Sequence, residues 1–261
     1  ELAGYLNLTS QLIAVDDYSD WPTEVQSLPR LGPDLDIDIE KLEALKPDLV
    51  LASLSVPGME RNIEKLKERN LPYVVFNPNS LSDIGEDLLQ LGRLTGTEAQ
   101  AKKVVQSYLQ TIDHYRNLSR RVQQEKKIYW EWWPKPVFTP GGTNWLTEIS
   151  ELAGRNLFYD EPIASVQTDW DDVVNRHPDV ICLAWVGVRR TKLKPELVTT
   201  RDNWKTLYEL KKPPIHILEE ALFCRPSPRL LLGLKELAPL IHPSVYPAND
   251  GIDPLQFQDR F

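Results

Sequence analysis

"IEKLEALKPDLVLAS" (Ile39 to Ser53) and "WDDVVNRHPDVICLA" (Trp170 to Ala184) follow one design: the end of an amphipathic helix, a Pro-Asp corner, then an apolar run. Proline cannot continue a helix and pushes the residue before it toward extended backbone, so at each corner a helix should stop and a strand begin. Leu49-Val50-Leu51 and Val180-Ile181-Cys182-Leu183 are continuously apolar, the pattern of buried parallel strands. Pro47 and Pro178 stand 131 residues apart, about half the chain. A further strand follows each unit, "PYVVF" from Pro72 and "PIHILEE" from Pro214. The echo predicts an α/β fold of two similar lobes with mainly parallel sheets and βαβ crossovers, joined by one long helix, with a ligand cleft between the lobes.

The joining segment is predicted over residues 97–124. Thr97 and Gln100 fit a capping box, and Ala101, Val104, Val105, Tyr108, Leu109, Ile112, Tyr115 and Val122 recur at three- and four-residue spacing. Such a helix runs for roughly 40 Å. It is stiff enough to restrict the lobes to slight rocking around a nearly preformed cleft. Residues 1–96 then form the first lobe and 125–245 the second, with 246–261 an extended tail. "ELAGYLNL" reads as helix and "QLIAV" as a strand, so the first lobe is expected to lack its opening strand. "KKIYWEWW" (Lys126 to Trp133) opens the second lobe; Pro140-Gly141-Gly142 is a turn, and Asn144 caps a helix that stops near Gly154.

The chain has 261 residues, 41% of them hydrophobic, enough for a full core, and a formal charge of −8. That balance excludes disorder and a broad cationic surface for nucleic acid. Two cysteines, Cys182 and Cys224, are too few for a disulfide framework; two buried thiols are the expectation, with a bridge between them the alternative for an exported chain. His114, His177, His216 and His242 are scattered over unlike elements, so no metal site is expected. No GxSxG, HExxH, Walker loop or GxGxxG is present. No apolar run reaches membrane-spanning length, and the first residues do not read as a signal peptide.

Ligands of open α/β sheets bind beyond the carboxyl ends of the strands. The residues in those places are Tyr18 and Trp21 after "LIAV", Trp133 after "YWEW", Trp185, Arg189 and Arg190 after "DVICLA", and Phe223 and Arg225 after "IHILEE". Ser53 to Gly58, after "DLVLA", offer no ring. Rings with a few guanidinium groups suit a large, flat, partly apolar ligand edged with amides or carboxylates. Trp130, Trp132 and Trp145 fall on faces predicted to pack in the core.

These pieces resemble the substrate-binding proteins of ABC importers, in the class with a rigid helical backbone that serves cobalamin, iron-siderophore and haem uptake. The resemblance runs from "LNLTSQLIAVDDYSDWPTEVQSLPRLG" through "IEKLEALKPDLVLAS" and "EWWPKPVFTPGGTNWLTEISELAGRNLF" to "RPSPRLLLGLKELAPLIHP", and is strongest to cobalamin-binding members. It implies a monomeric extracytoplasmic receptor, free or lipid-anchored, that binds a small-molecule chelate, catalyses nothing and needs no cofactor. The cargo implied is a vitamin B12-type corrinoid, with a ferric siderophore or haem as the alternative. It also implies one acid per lobe that docks on the permease subunits: Glu60 in "PGMERNIEKL" and Asp171 in "TDWDDVVNRHPD", where Asp169 and Asp172 compete for the role. A rival class is a cleft enzyme around a metal-bearing cofactor, for which Asp16, Asp17 and Glu220 are the strand-end acids.

Overall fold

The computed structural model describes residues 1–255, which fall into two compact units. The first comprises Glu1–Pro78 and Ser82–Gln106; the second takes Asn79–Leu81 and runs on from Ser107.

In the first unit, α1 (Leu2–Tyr5) precedes α2 (Ile39–Ala44), β1 (Val50–Ser53), α3 (Glu60–Glu68) and β2 (Tyr73–Phe76), followed by α4 (Leu81–Thr95) and the start of α5 (Glu98–Ser119). Asp38 caps α2 by accepting the Lys41 N–H at 2.9 Å. β1 and β2 pair in parallel from Val50 opposite Tyr73 to Ser53 opposite Phe76, with α3 as the crossover. Leu66 of α3 is buried with Leu31 and Leu42 beneath them. The expected strand "QLIAV" is absent. Squeezed between a 3₁₀ turn at Thr9–Gln11 and the Asp16 loop, it makes only one parallel bridge, Val15 to Arg30.

The second unit contains β3 (Lys127–Glu131), β4 (Trp133–Pro134), β5 (Val137–Pro140), α6 (Trp145–Glu151), β6 (Arg155–Asn156) and β7 (Ser165–Thr168). It continues with α7 (Trp170–Asn175), β8 (Val180–Leu183), α8 (Glu196–Thr199), α9 (Trp204–Lys211), β9 (Ile215–Ile217) and α10 (Leu230–Ile241). β6, β3, β8 and β9 form a parallel sheet in that order. A second, antiparallel sheet of β4, β5 and β7 was not expected; Pro134 and Pro136 end the run after Glu131 and turn it into a hairpin with Trp133 opposite Phe138. Among the described residues the sheets therefore differ between units, one sheet of two strands in the first, and one of four parallel plus one of three antiparallel strands in the second.

The turn at Gly141-Gly142 requires glycine, because a Cβ on Gly141 would sit 2.1 Å from the Ile163 carbonyl oxygen and one on Gly142 2.4 Å from that of Tyr159. Asn144 caps α6, accepting the Leu146 N–H at 2.8 Å, as its place in the sequence predicts. Trp130 and Trp132 are buried on one face of their run and Trp145 packs against Trp132 at 6.2 Å.

The two Pro-Asp corners match in detail, though not as expected. Lys46 and His177, each just before its proline, are not extended but left-handed, with φ of 50° and 56°. In that conformation their N–H groups reach back to Glu43 O at 3.0 Å and Val174 O at 3.1 Å. Satisfying a helix-end carbonyl outweighs the ordinary preference of a pre-proline residue.

α5 is shorter than the predicted 97–124: its 22 residues span about 33 Å, and the division between units falls within it. The capping box does not form. The Thr97 hydroxyl pairs with that of Thr95 at 2.9 Å, and the Gln100 amide donates to Tyr5 O at 3.1 Å. Tyr246, placed in the extended tail from the sequence, is instead buried: its ring stacks on Tyr115 and its hydroxyl donates to Leu152 O at 2.5 Å. The tail's last residues, 256–261, lie outside the described residues. Cys182 and Cys224 are free thiols, and the Cys224 thiol donates to Ala184 O at 3.2 Å.

Candidate ligand-binding site

Strand alternation sorts the residues at the end of β3. Tyr129, Glu131 and Trp133 project to one side of the run, Trp130 and Trp132 to the other. The ladder continues past the strands, with Ala184 N–H donating to Glu131 O and Val186 N–H to Trp132 O, both at 3.1 Å. This brings Trp133 and Trp185 together just beyond the carboxyl ends of β3 and β8, ring centroids 6.1 Å apart and planes at 54°. Trp133 is 42% exposed and Trp185 half-buried, so the pair presents an aromatic surface to solvent.

Behind the pair lies a charge cluster that sequence reasoning missed. Glu131 is fully buried, and its carboxylate accepts four hydrogen bonds. Arg201 donates from Nη1 to Oε2 at 2.6 Å and from Nη2 to Oε1 at 2.8 Å. The Tyr129 hydroxyl donates to Oε2 at 2.8 Å and the Trp185 indole to Oε1 at 3.1 Å. The Arg201 guanidinium also lies over the Trp170 ring at 4.9 Å. Burial opposes its charge, but the hydrogen bonds and field of Glu131 outweigh this and hold it above its ordinary pKa. Burial, reinforced by the Glu131 charge, raises the Tyr129 phenol well above its own. The lone acid inside "YWEWW" was the available signal, since a charge in a buried strand requires a partner; "TTRDNW" gave no hint that Arg201 is that partner.

The other expected residues are placed as follows. Tyr18 is 51% exposed in a loop shaped by Asp16, which accepts the Tyr18 N–H at 2.8 Å and the Ser19 hydroxyl at 3.1 Å. Arg30 fastens that loop by donating to Asp16 O and Ser19 O at 2.8 and 2.6 Å. Trp21 is docked on α1, its ring 5.0 Å from that of Tyr5 and close over Gly4, so it presents less ring than expected. Arg189 is exposed in the segment after β8. Arg225 follows β9 and donates to Glu220 Oε1 at 2.7 Å. Phe223 does not face outward: it is fully buried, 5.0 Å from Trp130 and against Gly233. The three-residue 3₁₀ turn Glu220–Leu222 rotates it inward.

Glu60 and Asp171 are both exposed at helix starts. Glu60 accepts the Gly58 N–H at 2.8 Å and Asp171 the Asn203 amide at 2.7 Å. The rival acids are occupied. Asp169 caps α7 through the Asp172 N–H, and Asp172 pairs with Arg176 at 3.1 Å and accepts from Thr168. Among the described residues, no group of acids, histidines and cysteines is arranged to hold a metal ion, and no helix is long and apolar enough to cross a membrane.

Residues 2–218 match the periplasmic binding protein family. The chain is 26% identical to the ABC transporter substrate-binding lipoprotein YvrC of Bacillus subtilis, over 94% of this chain and 78% of that protein. It is 28% identical to the vitamin B12-binding protein of Yersinia pestis, over 91% and 81%. In fold it matches IsdE of S. aureus, solved in complex with heme, with a TM-score of 0.79 over 92% of this chain and 94% of that one at 18% identity. The family consists of extracytoplasmic transport proteins that bind a solute without turning it over, so the cleft-enzyme alternative falls away. The chain belongs to the periplasmic binding protein family and is an ABC transporter substrate-binding protein.

Proposed function

We propose that this protein captures a cobalamin-type corrinoid and delivers it to an ABC importer. Trp133 and Trp185 supply the aromatic surface of the second unit, and Tyr18, with Trp21 to a lesser degree, is the ring candidate of the first unit. The observation that carries the reading is the Trp133 and Trp185 pair backed by an arginine, Arg201, whose charge Glu131 already balances; Arg225, after β9 of the same unit, is likewise paired, with Glu220. A surface of that kind favours a large ligand edged with neutral amides over one held by its carboxylates. Each stacked ring contributes on the order of 1 kcal/mol beyond burial, which supports submicromolar capture.

A haem or ferric-siderophore cargo is the second reading, favoured by exposed Arg189, a cation suited to a carboxylate. Glu60 and Asp171 are the acids proposed to meet the permease; Asp169 is exposed as well but caps α7, and Asp172 pairs with Arg176. A lipid anchor is proposed by analogy with the Bacillus relative, which is named a lipoprotein.

Titration with cyanocobalamin tests the cargo. Tryptophan emission should be quenched with saturation at one equivalent. Quenching by haemin or a ferric siderophore without any response to corrinoids moves the assignment to the second reading.

A further inference from the structure

We propose that Glu131 and Arg201 are positioning residues for the ligand surface: they set the orientation of Trp185 and fasten the segment between β8 and α9, although neither presents itself to a ligand. The inference rests on the reading of the Trp133 and Trp185 pair as that surface.

A carboxylate with no solvent exposure at the end of a parallel strand is a costly choice for stability alone, because a well-packed apolar residue often does as well as a buried ion pair. What the carboxylate supplies is direction. Its two oxygens accept four donors from three side chains. The indole has a single N–H, so its bond to Oε1 fixes which way the Trp185 ring turns and holds it beside Trp133. Arg201 holds both oxygens through its two-pronged contact and donates from Nε to Leu197 O, while Trp170 donates to Asp202 O at 2.7 Å. Leu193 and Val198 between them are buried in the same core. The segment that carries Arg189 is thereby pinned at both ends, by Trp185 and by Arg201, to one buried carboxylate.

Glu131→Gln, Trp185→Phe and the double variant form the test, each checked by far-ultraviolet circular dichroism for retained fold. Trp185→Phe keeps a ring but loses the donor. If Glu131 acts through the indole, Glu131→Gln lowers cyanocobalamin affinity about tenfold in the wild-type background and less than about twofold beside Trp185→Phe. Equal losses in both backgrounds overturn the proposal. Should the glutamine variant not fold, Arg201→Lys, which keeps the charge and loses the fork, goes through the same cycle. The near-ultraviolet tryptophan bands of the unliganded protein give a reading independent of cargo. Glu131→Gln should change them, and should change nothing further once Trp185 is phenylalanine. A wild-type protein that ignores cyanocobalamin but passes this spectral test refutes the cargo assignment alone; unchanged bands on Glu131→Gln refute the positioning role.

Discussion

Arg225 donates from Nη2 to Glu220 Oε1 at 2.7 Å, so the guanidinium expected from the sequence to meet the edge of a ligand is already balanced by an acid five residues earlier. The pairing bears on selectivity. Glu220→Gln keeps the shape and removes the countercharge, and should raise affinity for a carboxylate-bearing chelate such as haemin about tenfold while leaving cyanocobalamin within about threefold. Parallel quenching titrations measure the ratio, and an unchanged ratio refutes this role for the pair.

Phe223 and Trp133 were both predicted ligand contacts, and their burial predicts opposite phenotypes. Phe223→Ala opens a hole against Trp130 and should cost about 3–5 kcal/mol in urea unfolding, with little change in the affinity of the protein that remains folded. Trp133→Ala removes a 42% exposed ring, so stability should fall by no more than about 1 kcal/mol while cyanocobalamin binding weakens about tenfold. A large affinity loss for Phe223→Ala with stability intact would reverse the assignment.

How far the sequence could be read shows in these same residues. The Pro-Asp corners, the parallel strands after them, the Asn144 cap and the Gly141-Gly142 turn are local signals, and each appears in the structure where the chain announces it. Phe223 failed because its direction depends on a 3₁₀ turn that no periodicity reveals. The Gln100 cap failed because the Thr97 N–H it would accept already donates to Gly92 O at 2.8 Å, and the Gln100 amide turns to Tyr5 O instead. The Glu131 cluster joins residues up to 70 apart, and only the fold brings them together.

Asp87 in α4 makes stability depend on pH. Burial, followed by the charges of Asp83 and Glu86, pushes its carboxyl up to about 7, and Oδ2 is buried without a hydrogen-bond partner. A carboxyl raised in the folded state contributes its full stability below the ordinary value of 3.8 and loses it as pH rises toward and through 7. Asp87→Asn should therefore match the wild type near pH 4 and exceed it at pH 8. The gain is about 1 kcal/mol, after discounting for solvent screening of a half-buried group. Urea midpoints at the two pH values check this, and a gap that does not change with pH counts against it.

Glu60→Arg and Asp171→Arg separate docking from capture. Both side chains are exposed, so the reversals should cost less than about 1 kcal/mol in stability and leave ligand affinity unaltered. In vesicles carrying the cognate transporter, each should abolish the ATPase stimulation that the loaded wild-type protein gives. Full stimulation by the double variant rules out these acids as the contact.

The most direct test of the account is the visible spectrum of the protein after incubation with cyanocobalamin, haemin or a ferric siderophore and removal of unbound ligand by gel filtration. Retention of the corrinoid absorbance at one equivalent per chain, lost on Trp133→Ala with Trp185→Ala, is the predicted result. Passage of the corrinoid straight through, with haem or the siderophore retained instead, contradicts it.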